Sequence, residues 1–183
     1  ETSNEDPDNY RFEADVMRLL NRSMTLLKSD EYENVWDVWQ KRRYMAGNKG
    51  APCTGAMKIG PRLAFQRPTD THVFGYTADA EDVLRFERLK ANYPELTVRV
   101  PLIDQGVTKA ACLALVERWG VALPRSYAMG FPNANCLPCV KATSPSYWAL
   151  VRKQFPDRFA RMVKLSRELD VRLCRIKDER RFI

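Results

Sequence analysis

The feature that most limits the fold is an alternation, in the middle of the chain, of short apolar runs with helix-length amphipathic stretches. "THVFGY" (71–76) reads as a strand ended by Gly75, and "ADAEDVLRFERLKANY" reads as a helix with Val83, Leu84 and Phe86 towards the core. "LTVRVPLI" is the next strand, closed by Pro101. "TKAACLALVERWG" is the next helix, with Thr108 as N-cap and Gly120 as its stop. Strands alternating with helices in this way predict an α/β fold, a parallel sheet covered by helices.

The flanks are more helical. "EDPDNYRFEADVMRLL" places Phe12, Val16, Leu19 and Leu20 at helical spacing, and "MTLLKS" (24–29) is a short apolar run expected as a buried strand. "NVWDVWQKRRYM" predicts a helix that carries Trp36 and Trp39 into the core. A loop with Gly47, Gly50 and Pro52 leads to Cys53 and a third helix, bent or interrupted at Pro61. Beyond residue 142, "SPSYWALVRKQFP" and "DRFARMVKLSREL" predict successive helices split at Pro156, the second capped by Asp157, and "VRLCRI" a last strand. No internal repeat interrupts this order, and 183 residues suggest one domain.

Charge and thiols narrow the chemistry. A net charge of +7 favours an anionic partner such as a nucleotide, a phosphate ester or nucleic acid. The cations cluster at Lys41–Arg43 and across Arg172 to Arg181, with too few aromatics between them to define a base-stacking platform. Five cysteines at irregular spacing, without a secretory pattern or a membrane-length apolar run, point to reduced thiols in a cytoplasmic protein.

The densest chemistry lies in "GFPNANCLPCVKA" (130–142). Cys136 and Cys139 stand at a spacing that turns two sulfurs to one side, suited to a metal or cluster. A redox pair and two apolar turn residues are the other readings. A full clamp needs ligands from elsewhere, and Cys53 is the first candidate, at a predicted helix start where the dipole lowers a thiol pKa. Cys174 alternates with Leu173 and Ile176 and Cys112 sits among apolar helix residues, so both read as core. Lys58 and Arg62, four apart, would share a helix face and bracket a phosphate. The only histidine, His72, lies inside a strand, which removes ordinary histidine acid–base catalysis. GxGxxG, Walker A, HExxH and nucleophile-elbow patterns are all absent from the sequence.

Several segments in order, "NEDPDNYRF", "CTGAMKIGP", "GYTADAEDVLRF", "NANCLPCVKA" and "YWALVRKQFPDRF" among them, make the chain resemble the phosphoadenosine phosphosulfate (PAPS) reductase-like family, as found in bacteria and phages. That resemblance implies an adenine nucleotide α-hydrolase (PP-loop) fold, a Rossmann-like parallel sheet of five strands between helices with a helical C-terminal part. It implies binding of ATP or an adenylyl-sulfate, and in the cluster-bearing branch a [4Fe-4S] cluster on Cys53, Cys136 and Cys139, with zinc as the alternative. Lys58 falls on the cationic position after the first cysteine and Gly75 on the turn beyond the central strand, so with Arg62 they become the expected nucleotide contacts. Candidate partners are tRNA or DNA as substrate, and a cysteine desulfurase or thioredoxin as sulfur or electron donor, with no membrane involved.

The resemblance is incomplete at both ends. The phosphate-binding SGGxDS loop has no match and is expected ahead of Glu1, and "DERRFI" stands where true PAPS reductases carry a cysteine tail. The implied function is therefore adenylation-linked sulfur transfer. Thiol-dependent reduction of PAPS or adenylyl-sulfate, and a non-catalytic metal-stabilised module that binds nucleic acid or protein, are the alternatives.

Overall fold

A computed structural model describes residues 1–47 and 50–183. They group into two compact units, one formed by Glu1–Phe65 with Pro124–Ile183 and the other by Gln66–Leu123. Among the described residues no helix is long and apolar enough to cross a membrane.

The first unit begins with helix α1 (Asp8–Leu20) and helix α2 (Val35–Arg42). The side chain of Asn34 accepts hydrogen bonds from the backbone N–H groups of Trp36 and Asp37 and so caps α2. Its inner face delivers Val35, Trp36, Val38 and Trp39 to the core, where the two indoles meet edge to face at 5.1 Å. A helical run then passes through α3 (Pro52–Thr54), a π turn (Gly55–Ile59) and α4 (Gly60–Phe65). The break expected at Pro61 is absent there, because the helix widens one turn earlier. Proline has no N–H to give the preceding turn, and the π turn absorbs that loss.

The second unit is a single right-ordered repeat of the expected alternation: β1 (Thr71–Val73), α5 (Ala80–Asn92) and β2 (Thr97–Arg99), followed by α6 (Pro101–Asp104) and α7 (Lys109–Arg118). β1 and β2 pair in parallel, Thr71 opposite Thr97 and Val73 opposite Arg99. Thr108 caps α7 as expected, accepting from Ala111 N–H, and Gly120 closes the helix at φ +73°. The chain then re-enters the first unit through α8 (Arg125–Ala128), α9 (Pro145–Gln154), α10 (Pro156–Glu168) and an antiparallel hairpin of β3 (Cys174–Ile176) and β4 (Glu179–Arg181).

The fold is therefore mixed α/β, but among the described residues the large Rossmann-like sheet is not formed. The parallel sheet among the described residues has two strands of three residues each. Residues 24–29, expected as a buried strand, have no regular structure; Met24 and Leu26 are half exposed, and among the described residues no strand pairs with them, the Leu27 carbonyl accepting instead from the N-terminal amine at 2.7 Å. On α5, Val83 and Phe86 are only half-buried and Leu84 is exposed, so the core sits in the first unit instead. Asp157 lies in the first turn of α10 rather than at its cap, because Pro156, with no N–H to satisfy, takes the first helical position.

The N-terminal segment is fastened to α8 by charge. Asp6 is fully buried and receives two hydrogen bonds from the Arg125 guanidinium, at 2.7 and 2.9 Å. Asp8 takes hydrogen bonds from Arg11 and from the Arg125 backbone N–H, and these hold its carboxyl down at about 2. The contribution of Asp8 to stability is present above the ordinary carboxylate range and is lost as pH falls towards 2. Arg125→Ala strands the buried Asp6 carboxylate. It is expected to cost about 2–3 kcal/mol in urea unfolding, less than for a fully buried pair because Arg125 is half exposed.

Candidate functional site

The loop that carries Cys136 and Cys139 lacks regular structure, so its polar backbone needs partners from elsewhere. The first residues of the chain supply them. Leu137 N–H donates to the Asn4 carbonyl at 2.9 Å, and the Asn4 side-chain amide donates to the Pro138 carbonyl at 3.2 Å. The Asn4 side-chain oxygen accepts from the Trp36 indole at 3.1 Å, which ties both segments to α2. Arg158 on α10 donates to the Leu137 carbonyl at 2.8 Å, and the Tyr147 hydroxyl on α9 accepts from Cys139 N–H at 2.7 Å. Between the thiols, Leu137 and Pro138 are fully buried, so the turn is pinned by packing as well.

The thiols of Cys53, Cys136 and Cys139 come into one neighbourhood. Cys139 lies near enough to both Cys53 and Cys136 that its thiolate would raise their pKa values. Cys136 Sγ is 2.9 Å from the Thr2 hydroxyl and 3.8 Å from a Glu5 carboxylate oxygen. Thr2 also donates to Glu5, completing a triad of thiol, hydroxyl and carboxylate. Lys58 on the π turn is close enough to Cys136 and Glu5 to favour their charged forms, and Lys141 does the same for Cys53. Among the described residues no three Cys, His, Asp or Glu side chains form a ready-made ion site.

Burial is the largest influence on both perturbed thiols. It pushes Cys136 above the ordinary thiol range against the opposing pull of Thr2 and Lys58. It pushes Cys53 up as well, which overturns the lowered pKa expected from a helix start. One buried donor stands out beside Cys53. The Trp39 indole N–H, 1% exposed, makes no full hydrogen bond, yet it lies near enough to the Cys53 sulfur to favour its thiolate. An N–H left without an acceptor next to thiols suits a site that gains negative sulfur when loaded.

The remaining expected residues divide. Arg62 lies on α4, one turn beyond Lys58 and across the end of the π turn. Gly75 follows β1 in the second unit. Cys174 is buried in the core as expected, whereas Cys112 on α7 is only half-buried. A cavity of about 530 Å³ opens beside the π turn, lined in part by Lys28, Ser29, Arg42, Gly55, Gly60 and Phe65. Sequence reasoning singled out the three cysteines and Lys58 but not Thr2, Asn4, Glu5 or Trp39, which lie against the cysteine loop or beside Cys53. The only trace of the first three is the run of polar residues ahead of Pro7.

Compared with protein-family models, with curated proteins and with solved structures, the chain matches none.

The thiol environment gives a direct test. In metal-free protein, iodoacetamide labelling of Cys53 and Cys136, followed by mass spectrometry against pH, is expected to stay slow through neutral pH. It should accelerate only above the ordinary thiol range, because burial keeps both protonated. Rapid labelling of either at pH 7 would contradict the assigned burial effect.

Proposed function

We propose that this chain is a nucleotide-binding sulfur-transfer enzyme of the PAPS reductase-like, PP-loop kind, with Cys53, Cys136 and Cys139 as ligands of a [4Fe-4S] cluster. The observation that carries the reading is the convergence of three thiols from two distant stretches of chain, beside the cations Lys58 and Lys141 and the unsatisfied Trp39 N–H. A cluster held by three cysteines supplies one iron with no protein thiolate, where sulfur from outside can bind.

The chain's own residues set up that chemistry. Lys58 lowers the cost of a thiolate at Cys136, as does Thr2 when its one hydroxyl proton turns from Glu5 to the sulfur, while the Glu5 carboxylate opposes it; Trp39 and Lys141 lower the cost at Cys53. Loading the site removes protons from the buried thiols, so uptake is favoured by rising pH. Tyr147, Asn4 and Arg158 fix the backbone between Cys136 and Cys139, so the two sulfurs are oriented before any ligand arrives. The adenine nucleotide takes its phosphates to Lys58 and Arg62; the cavity beside the π turn is lined by neither, and its cations Lys28 and Arg42 are accompanied by Asp30 and Glu31. In the reaction, a substrate oxygen attacks the α-phosphorus of ATP and releases pyrophosphate. Sulfide then displaces AMP, breaking the substrate's bond to that oxygen and forming its bond to sulfur.

Anaerobic purification with iron and acid-labile sulfide assays tests the reading. The wild-type protein is expected to be brown, with iron and sulfide in equal amounts. Cys53→Ser, Cys136→Ser and Cys139→Ser should each lose most of both, and Cys112→Ser should lose neither. An iron-free wild-type protein, or equal loss in Cys112→Ser, would sink the ligand assignment. Zinc in place of iron would select the alternative metal.

A further inference from the structure

The C-terminal hairpin is anchored beside the cysteine loop. The backbone N–H of Arg175 donates to the Thr143 carbonyl at 2.7 Å, four residues past Cys139. At the root of the hairpin, Leu173 and Cys174 are buried in the same core cluster as Leu137 and Val140. The rest projects outward: every residue from Arg175 to Phe182 is exposed. The hairpin and its approach, Arg172 to Arg181, carry five cations against two carboxylates.

The arrangement of these charges is costly to the isolated protein. The pairing register sets Arg175 directly opposite Arg180. Like charges opposite one another across two strands destabilise the pair. Asp178 and Glu179 are already engaged by Arg175 at 3.2 Å and Arg181 at 2.8 Å. Among the described residues Lys177 and Arg180 have no carboxylate partner, and Arg172 is stacked over Phe182 at 5.5 Å. An open groove of about 860 Å³ runs along α10 with Ile183 at its edge, so the hairpin's end is continuous with it. Arg152, Lys164 and Arg167 border that groove together with one carboxylate, Glu168, which pairs with Lys164 at 3.9 Å, and Phe159 and Val163 form its apolar lining.

We infer that the hairpin and the adjoining α10 groove bind the phosphodiester backbone of a nucleic acid and bring it to the cysteine centre. This rests on the sulfur-transfer reading and names its substrate class. The phosphates relieve the opposition of Arg175 and Arg180, and the spacing of cations along a ribbon and a groove matches a repeating anion better than a single one. A strand seated there passes Thr143 and lies close to the loop that holds Cys136 and Cys139.

The test is fluorescence anisotropy with labelled single-stranded RNA and DNA of about 15 nucleotides and the matching duplexes, over a salt series. Arg175→Gln with Arg180→Gln is compared with Arg18→Gln with Arg22→Gln, which removes equal charge from the region of α1. The hairpin variant is expected to bind about tenfold more weakly, with a single-strand salt slope smaller by about 1.4, and the α1 variant to match wild type. Urea unfolding should show the hairpin variant at least as stable as wild type, which separates lost binding from lost folding. Absence of wild-type binding at low salt, equal loss in both variants, or equal binding of polyglutamate would overturn the inference. The RNA, DNA and duplex arms identify the source of the backbone. Because binding is measured on Cys136→Ser protein too, a missing cluster with intact hairpin-dependent binding defeats only the sulfur-transfer reading.

Discussion

Asn4 is the residue on which the arrangement of the site depends. Its carbonyl, its amide and its side-chain oxygen are engaged by Leu137, Pro138 and Trp36 respectively. The segment before α1 and the loop after α8 are both irregular, and each would carry unsatisfied backbone groups if buried alone. Paired through Asn4, they satisfy one another and can sit in the core beside Trp36. Thr2 and Glu5, on either side of Asn4, are thereby held against Cys136. The thiol environment is thus a by-product of how an irregular loop is made compatible with burial.

That arrangement favours one state of the thiols in the absence of a ligand and another in its presence. Desolvation keeps Cys53 and Cys136 neutral, while Thr2, Lys58, Lys141 and Trp39 are placed to favour the anions. The opposing influences sit on the same atoms. Such a balance resists adventitious oxidation of the two thiols, since the thiolate is the reactive form.

The sequence revealed local features better than distant partnerships. The cap of α7, the Trp36–Trp39 face and the order of helices follow from spacing and composition over ten or fifteen residues. The βαβ repeat was legible for the same reason, yet its extension to a large sheet was not. Apolar runs such as residues 24–29 look like strands whether or not a neighbour exists to pair with them. At the site, cysteines announce themselves by type and spacing, and Lys58 by its distance from Cys53. Asn4, Glu5 and Trp39 act through partners that are remote in the chain, and the polar run ahead of Pro7 marks the first two without showing what they meet. The π turn was hidden too, because Pro61 signals a disturbed helix without saying on which side the disturbance falls.

The second unit is inserted between two halves of the first, with the chain leaving at Phe65 and returning at Pro124. A ribosome therefore emits Cys53 and its helix long before the loop that completes the thiol set. Some eighty residues separate them, roughly 4–16 s of elongation at ordinary speed. Throughout that interval the α2 indoles have no C-terminal half to bury them, and closing so long a span is a late and entropically expensive event. Any chemistry that needs all three thiols consequently waits for the C-terminal half to emerge, and Trp36 and Trp39 stay uncovered until α9 and α10 follow.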